Sequence, residues 1–569
     1  MMKRTINLSV LILVVLALLF IGPACASAAY NSDKIGDNGI GDDGISGDRQ
    51  NSYAWSMDTM DMDLAVDEDD GEYLYVGGNR AFVYFILMAS GFSNEEILTL
   101  FKGDIMRSDD LRGRVFRYKT DGTKDWELVY TSPLPSIPVP VYGTVPVPKH
   151  LGYRVMKRFT DVSGDTALYV GTTGFIPALP NEVLRFPDTF ELGDEPTVVF
   201  RTMDSEGESS IRSIDEFNGY LCVGLMNGEI WINNEPSELE EETDVVNSST
   251  PHGWTNVAAT GSFYALAGSP QEDAGEFVPN WHFVTYNGYL YTTAYYLNME
   301  GHDGGFYVFK GQPDNGIEGE WTWEMIKAGG AGNPRNEGAN MFVYNDYVYV
   351  GSMFLLPDHL INGNFDIVAD NIDKPKAEVF RFNADDEWEM VIGDPAENTE
   401  FDTRLGNYGA GFWDPVFPFP PFNDVNASMN FYAWWMEEHE GKLYCGTFDI
   451  QVFLQYIVDI VDELYFDGNM PPEYRQEIED MISQLEMVNA NNPEGCDLYV
   501  SSDGENFTPV TRDGFGDEFN YGVRSMKSTE NGLLAGTANP FYGFQVWKVT
   551  ETPDGEDDGS GCFISAAGN

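Results

Sequence analysis

Positive charge is scarce in this sequence: 32 Lys and Arg stand against 92 Asp and Glu, a formal net charge of −60. That imbalance excludes a nucleic-acid binder, because phosphate contacts need a basic face. It also argues against docking on anionic lipid, where Lys and Arg supply the attraction. Metal-site spacing is absent too. The five cysteines include no C-x-x-C pair, and His150, His252, His282, His302, His359 and His439 form neither H-x-H nor H-E-x-x-H. A zinc or haem centre is therefore not supported. Long apolar runs are missing after the first 21 residues, so no later segment is expected to span a membrane.

The one apolar run sits at the start. Lys3 and Arg4 precede Leu8 to Ile21, and small residues follow as Ala24-Cys25-Ala26-Ser27-Ala28-Ala29. This is the plan of a secretory signal, assigned to residues 1–28, and the run is shorter than the roughly 20 residues of a spanning helix. Gly22 stands where a lipoprotein signal would carry an aliphatic residue, which argues against lipidation of Cys25. The mature chain is expected to be secreted or held at the cell surface, as a monomer. In that compartment Cys445 and Cys496, flanking one insertion, are candidates for a disulfide. Asn247, Asn426 and Asn506 are glycosylation sequons.

What the chain has in quantity is apolar and aromatic residues, 43 % and 14 %, enough to order a core. They recur with a period. A short run ending in Gly appears as Tyr73-Leu74-Tyr75-Val76-Gly77, Ala167 to Gly171, Tyr220 to Gly224, Tyr347 to Gly351 and Lys442 to Gly446. Weaker copies are Tyr289 to Thr293 and Gly532 to Gly536. Polar turns such as Asn287-Gly288 and Asn345-Asp346 precede copies and mark hairpins. A second pair of extended runs follows, as in Val115 to Tyr118 with Trp126 to Val129, or Val379 to Phe382 with Trp388 to Val391. Four strands repeated seven times predict an all-β, seven-bladed β-propeller. Six blades plus a stray hairpin is the alternative count. The seventh copy lacks a fourth strand, and Ser52 to Ser56 is assigned to complete it. The expected organisation is an acidic Gly/Asp-rich linker at 29–51, the propeller at 52–550 with a helical insertion at 448–493, and an acidic tail at 551–569.

The turn Ser501-Ser502-Asp503-Gly504-Glu505-Asn506-Phe507, and less closely Lys119-Thr120-Asp121-Gly122 ahead of Trp126, resembles the Asp-box of sialidase-type and related secreted propellers. In that superfamily the turn lies away from the active site, so the resemblance implies fold and not activity. Asp513 to Met526, with Gly536-Thr537-Ala538-Asn539-Pro540, is similar to uncharacterised secreted propellers of prokaryotes. The end Gly561-Cys562-Phe563-Ile564-Ser565-Ala566-Ala567 resembles a shortened CFI-box, departing from it at Ser565.

Insertions crowd one face. Ala81 to Arg112, Phe354 to Lys376 and Phe448 to Pro493 fall between second and third strands. Ser132 to Leu151, Ala258 to Asn280 and Gly393 to Asn430 fall between repeats. The aromatic, Pro-rich Phe412 to Phe422 reads as a self-packed lid or a binding platform. Ile457, Ile460, Val461 and Leu464 mark the apolar side of a helix.

Scarce arginines recur at one position, the start of the innermost strand: Arg154, Arg212 and Arg524. Trp281, His282, Asn340 and Trp434 hold similar positions in other repeats. These seven residues are the candidate ligand-binding set at the channel mouth, suited to a carboxylate or sulfate. No catalytic pair can be singled out among so many carboxylates. Asp58-Thr59-Met60-Asp61-Met62-Asp63 and Asp67 to Asp70 leave Ca²⁺ as the one cofactor open, with no EF-hand loop. The expected function is a non-catalytic secreted or cell-surface module recognising a glycan or an extracellular protein. A propeller hydrolase or lyase acting on acidic glycans, holding its substrate with the arginines, is the alternative, and a structural envelope component the third reading.

Overall fold

The computed structural model describes residues 30–41, 47–66, 69–89, 93–102, 110–139, 143–174, 179–202, 210–239, 253–268, 277–297, 304–355, 359, 377–395, 398–406, 430–466, 468–472, 475–476, 479, 483 and 494–552. The assigned signal, Asn247, Asn426, Phe412 to Phe422, Cys562 and the acidic tail beyond Thr552 lie outside these residues. So do the side chains of Ile457, Ile460, Val461 and Leu464.

The fold is all-β and antiparallel, built from four-stranded meanders with short helices between strands. Unit one comprises Asn51–Met62, Gly71–Arg80, Arg114–Lys119 and Glu127–Thr131. Unit two is Gly152–Thr160, Thr166–Thr173, Glu182–Pro187 and Thr197–Arg201. Unit three is Ile211–Phe217, Tyr220–Leu225, Ile230–Asn233 and Thr255–Ala258. Unit four is Phe283–Tyr286, Tyr289–Tyr296, Tyr307–Pro313 and Trp321–Lys327. Unit five is Gly338–Tyr344, Tyr347–Met353, Val379–Phe382 and Trp388–Ile392. Unit six is Asn430–His439, Lys442–Asp449, Leu498–Ser501 and Thr508–Thr511.

Unit seven corrects two expectations. Its chain-consecutive strands are Gly522–Thr529, Gly532–Ala538 and Val546–Glu551, and its outer strand is Tyr30–Lys34, paired antiparallel from Tyr30 opposite Glu551 to Lys34 opposite Trp547. Residues 52–56 do not play that part. They belong to the first strand of unit one, which pairs along its length with Gly71–Arg80 and shares with unit seven one ladder pair, Tyr53 with Ala538. The segment 29–51 is accordingly not a plain linker.

The repeated Gly has a packing reason. A Cβ on Gly77 would fall 2.6 Å from Ser56 Oγ and 2.7 Å from the Tyr153 carbonyl of the next unit, so only hydrogen fits there. The same crowding recurs at Gly171, Gly224, Gly351, Gly446 and Gly536, each against the first strand of the following unit or, for Gly536, against Ala54 of unit one. First strands lie side by side in the order one to seven, and that of unit seven lies against that of unit one. Side chains in the second strands are buried on both faces, as Tyr73, Leu74, Tyr75 and Val76 are, because each sheet is sandwiched between two others. Two-residue turns with both φ positive, Asn218-Gly219, Asn287-Gly288, Asn345-Asp346 and Glu440-Gly441, join first to second strands.

Opposite those turns sit the insertions. Helices Phe82–Ala89, Asn94–Leu100 and Gln451–Phe466 follow second strands. Ser93 caps the second of these with a reciprocal Glu96 bond, and Asp449 accepts the Gln451 N–H of the third at 2.6 Å. Tyr84, Ile97, Phe101, Val452 and Tyr456 share one buried cluster with Tyr53, Trp55, Trp434 and Tyr521, so the helices cap the first-strand ends. Among the described residues no helix is long and apolar enough to cross a membrane.

The expected disulfide is not formed. Cys445 and Cys496 are free and buried. Cys445 sits opposite Tyr499 and packs with Val379 and Ala433, whereas Cys496 packs with Leu498, Phe515 and Val523. The two thiols serve different inter-unit interfaces.

Candidate binding site among the first strands

All seven candidate residues, Arg154, Arg212, Trp281, His282, Asn340, Trp434 and Arg524, line one cavity of about 80 Å³ where the first strands begin. A backbone irregularity puts most of them there. Register shifts fall at equivalent points of five first strands: Ala54/Ser56, Tyr153/Val155, Ile211/Ser213, Ala433/Trp435 and Val523/Ser525. The extra residue in each case is Trp55, Arg154, Arg212, Trp434 or Arg524. A β-bulge leaves its extra residue out of the ladder and re-aims the side chain, here toward the axis that the first strands surround. Unit five has no bulge, and Asn340 reaches the cavity from a regular strand. Trp281 and His282 precede the first strand of unit four.

Each arginine stacks on a tryptophan of an adjacent unit. The guanidinium carbon lies 4.8 Å from the Trp55 ring centre for Arg154, 3.2 Å from Trp281 for Arg212 and 5.2 Å from Trp434 for Arg524. The serine after the bulge then ties the ring together. Ser56 donates to the Tyr153 carbonyl at 2.7 Å, Ser213 to that of Asn280 at 2.9 Å and Ser525 to that of Ala54 at 2.8 Å. Asn340 Nδ2 donates to the Trp434 carbonyl.

Arg524 is only 8 % exposed, and among the described residues the groups acting on its charge are Tyr53 and Tyr521, with no carboxylate among them. Burial pulls its pKa down to about 10, against the favourable field of Tyr53 and Tyr521. It remains charged at neutral pH. Tyr53 is pushed up to about 12 by burial, which its bond with Tyr521 and the charges of Arg524 and Arg154 oppose only in part. His282 is driven down to about 4, by burial first and by Arg524 and Arg212 in addition. Its Nδ1 accepts the Met341 N–H at 3.4 Å, which places the proton of the neutral ring on Nε2.

Three residues further along the same strands the chemistry changes to paired charges. Lys527 bridges Asp58 at 2.8 Å and Lys157 bridges Asp215 at 2.6 Å. Burial works against the charged form of Asp58, yet Lys527 and the Arg158 N–H hold its pKa below the usual range. Asp58 is thus paired with a lysine of unit seven. Burial raises Glu437, in the same layer, to about 7. No group of three or more His, Cys, Asp or Glu arranged for a metal occurs among the described residues.

Trp55, Tyr53, Trp435 and Tyr521 were missed by sequence reasoning. The signal for Trp55 was present, since Ala54-Trp55-Ser56-Met57 parallels Val523-Arg524-Ser525-Met526 and Ala433-Trp434-Trp435-Met436.

No protein-family model matches the chain, and no curated protein matches it. Solved structures similar to it include the computationally designed Ika8 protein, at 8 % identity and TM-score 0.32 over 90 % of this chain and 99 % of that one. The extracellular domain of a one-component system from B. thetaiotaomicron is similar at 10 % identity and TM-score 0.35, over 79 % of this chain and 40 % of that one. The Mitotic Checkpoint Complex is similar at 9 % identity and TM-score 0.33, over 77 % and 86 %. Likenesses this weak identify neither a family nor an activity.

Proposed function

We propose that the four-stranded units are the seven blades of a β-propeller, and that the chain acts outside the cytoplasm as a binding module whose central cavity takes the acidic group of a glycan. The blade reading is supported by first strands that neighbour one another in a closed order and by Tyr30–Lys34, which leaves unit seven no bare edge. The signal-like start supports export. The Ser501 to Phe507 turn is compatible with an Asp-box: Asp503 accepts the N–H groups of Glu505 and Asn506 at 2.8 and 2.7 Å.

One observation carries the ligand reading: the buried guanidinium of Arg524, with no acidic partner among the described residues, facing a polar cavity beside Arg154 and Arg212. A buried charge is costly unless something pairs with it. A carboxylate or sulfate group entering the cavity supplies that partner in the planar geometry a guanidinium prefers. The volume admits such a group and not a whole sugar ring. Binding is favoured over hydrolysis by the lining. Glycoside cleavage uses two carboxyl groups roughly 5–9.5 Å apart, and among the described residues that line the cavity there is neither Asp nor Glu.

The test is a glycan array probed with the mature chain and with Arg524→Met, in Ca²⁺ and in chelator. Acidic glycans should be retained by the wild type and weakened at least about tenfold in the variant. Free of ligand, Arg524→Met should be more stable by about 1–3 kcal/mol in urea, because an apolar chain of similar size replaces an uncompensated buried charge. Undiminished binding by the variant, or no acidic glycan bound at all, rejects the reading.

A further inference from the structure

A second and larger concavity of about 660 Å³ lies away from the ring cavity and shares no residue with it. It opens between units six and seven. Its floor is aromatic: Phe515 and Trp547 stack with centroids 5.1 Å apart and planes 13° from parallel. Trp547 is held by the residue just ahead of its strand, its Nε1 donating to Gln545 Oε1 at 3.0 Å. Phe515 sits at φ 61 between Gly514 and Gly516, a backbone state costly for an aromatic residue, so the loop commits that ring to its place.

The walls are polar and mostly acidic, with Glu494, Asp513, Asp517 and Glu518 against the single cation Lys34. These carboxylates are not equivalent. Asp517 accepts the Phe519 N–H at 3.1 Å and a bond from Gln545 Nε2 at 2.5 Å, so it builds the loop. Asp513 holds the Gly516 N–H and Thr511 through one oxygen, Oδ1, and is exposed, as is Glu518. Lys34 comes from the strand that closes unit seven and turns its ammonium to Asn38 at 2.8 Å.

We propose that this groove is a separate binding site for an amino-sugar unit of a glycan. The volume lies in the range of small-ligand sites. The half-buried Trp547, backed by the buried Phe515, offers apolar ring surface for the C–H side of a pyranose, and rim carboxylates accept hydrogen bonds from its hydroxyls and ammonium. The sign of the walls sets the class of sugar. Uronic or sialic acids, which suit the ring cavity, are repelled here, whereas a protonated amine is drawn in. The inference does not depend on the ring cavity binding anything.

Calorimetry of the full mature chain with a tetrameric glucosamine oligomer at pH 6 tests it, beside the N-acetylated tetramer and a tetralysine peptide. The glucosamine oligomer should bind, and both comparators should bind about tenfold more weakly or less. Trp547→Ala should cost about tenfold in affinity, and Glu518→Gln, an exposed position, severalfold. Arg524→Met should leave the affinity unchanged. Should Trp547→Ala unfold, Glu518→Gln decides alone. No binding of the oligomer, tetralysine bound as tightly, or Glu518→Gln without effect overturns the proposal.

Discussion

His282 and Glu437 carry opposite pH dependences, and their difference is measurable. His282 titrates near 4 when folded and near 6.5 when unfolded, so between those values the unfolded chain binds more protons and stability rises with pH. Glu437 titrates near 7 folded and 4.5 unfolded, so there the folded chain holds the extra proton and stability falls as pH rises. From about pH 4.5 to 6.5 the two slopes, about 1.4 kcal/mol per pH unit each, cancel. His282→Gln should therefore lose stability relative to wild type as pH rises through that window, and Glu437→Gln should gain it. Urea midpoints at pH 4.5, 5.5 and 6.5 check this, and parallel profiles for both variants would refute it. Little of this was legible in sequence. His282 was singled out for its strand-start position, but its burial beside two arginines needed the other units in place.

The element that matters most is a short one with the longest reach. Tyr30–Lys34 pairs with Val546–Glu551 across almost the whole chain, and Tyr30 meets Tyr444 edge-on at 6.3 Å while Lys442 reaches Glu551. Removing residues 1–34 should lower stability by about 2–4 kcal/mol, the loss of several net hydrogen bonds and a packed ring, and should leave an edge prone to self-association. Urea unfolding and light scattering of the truncated chain check both effects. An unchanged midpoint would mean that unit seven needs no fourth strand. Bulges are the second decisive element. Arg154, Arg212 and Arg524 could be picked out by their recurrence, but what directs them inward is the extra residue in each first strand. Trp55 escaped because 52–56 was assigned to a different strand.

At the scale of the whole molecule, charge dominates. A net charge of −60 repels itself in the compact state. Screening shortens the reach of that repulsion from about 10 Å at 0.1 M salt to about 3 Å at 1 M. The thermal midpoint should accordingly rise with added NaCl, as a melting series from 0.05 to 1 M would record. A falling midpoint would show instead that surface ion pairs outweigh the repulsion. Packing between units belongs to this scale too, since six of the seven units carry a second-strand glycine packed by the next unit, the last of them by unit one.

Period, turn chemistry and composition are local properties, and the sequence alone was sufficient for them. The four-strand repeat, the Asn-Gly hairpins and the face that carries the insertions could all be read from residues close together in the chain. Which strand completes unit seven, whether Cys445 meets Cys496, and how Asp58 and Arg524 come to opposite electrostatic fates were decided only by tertiary structure. Each depends on groups brought together from different parts of the chain. Local propensity can mark a strand or a charge, but pairing and desolvation are properties of the neighbours that folding brings to it.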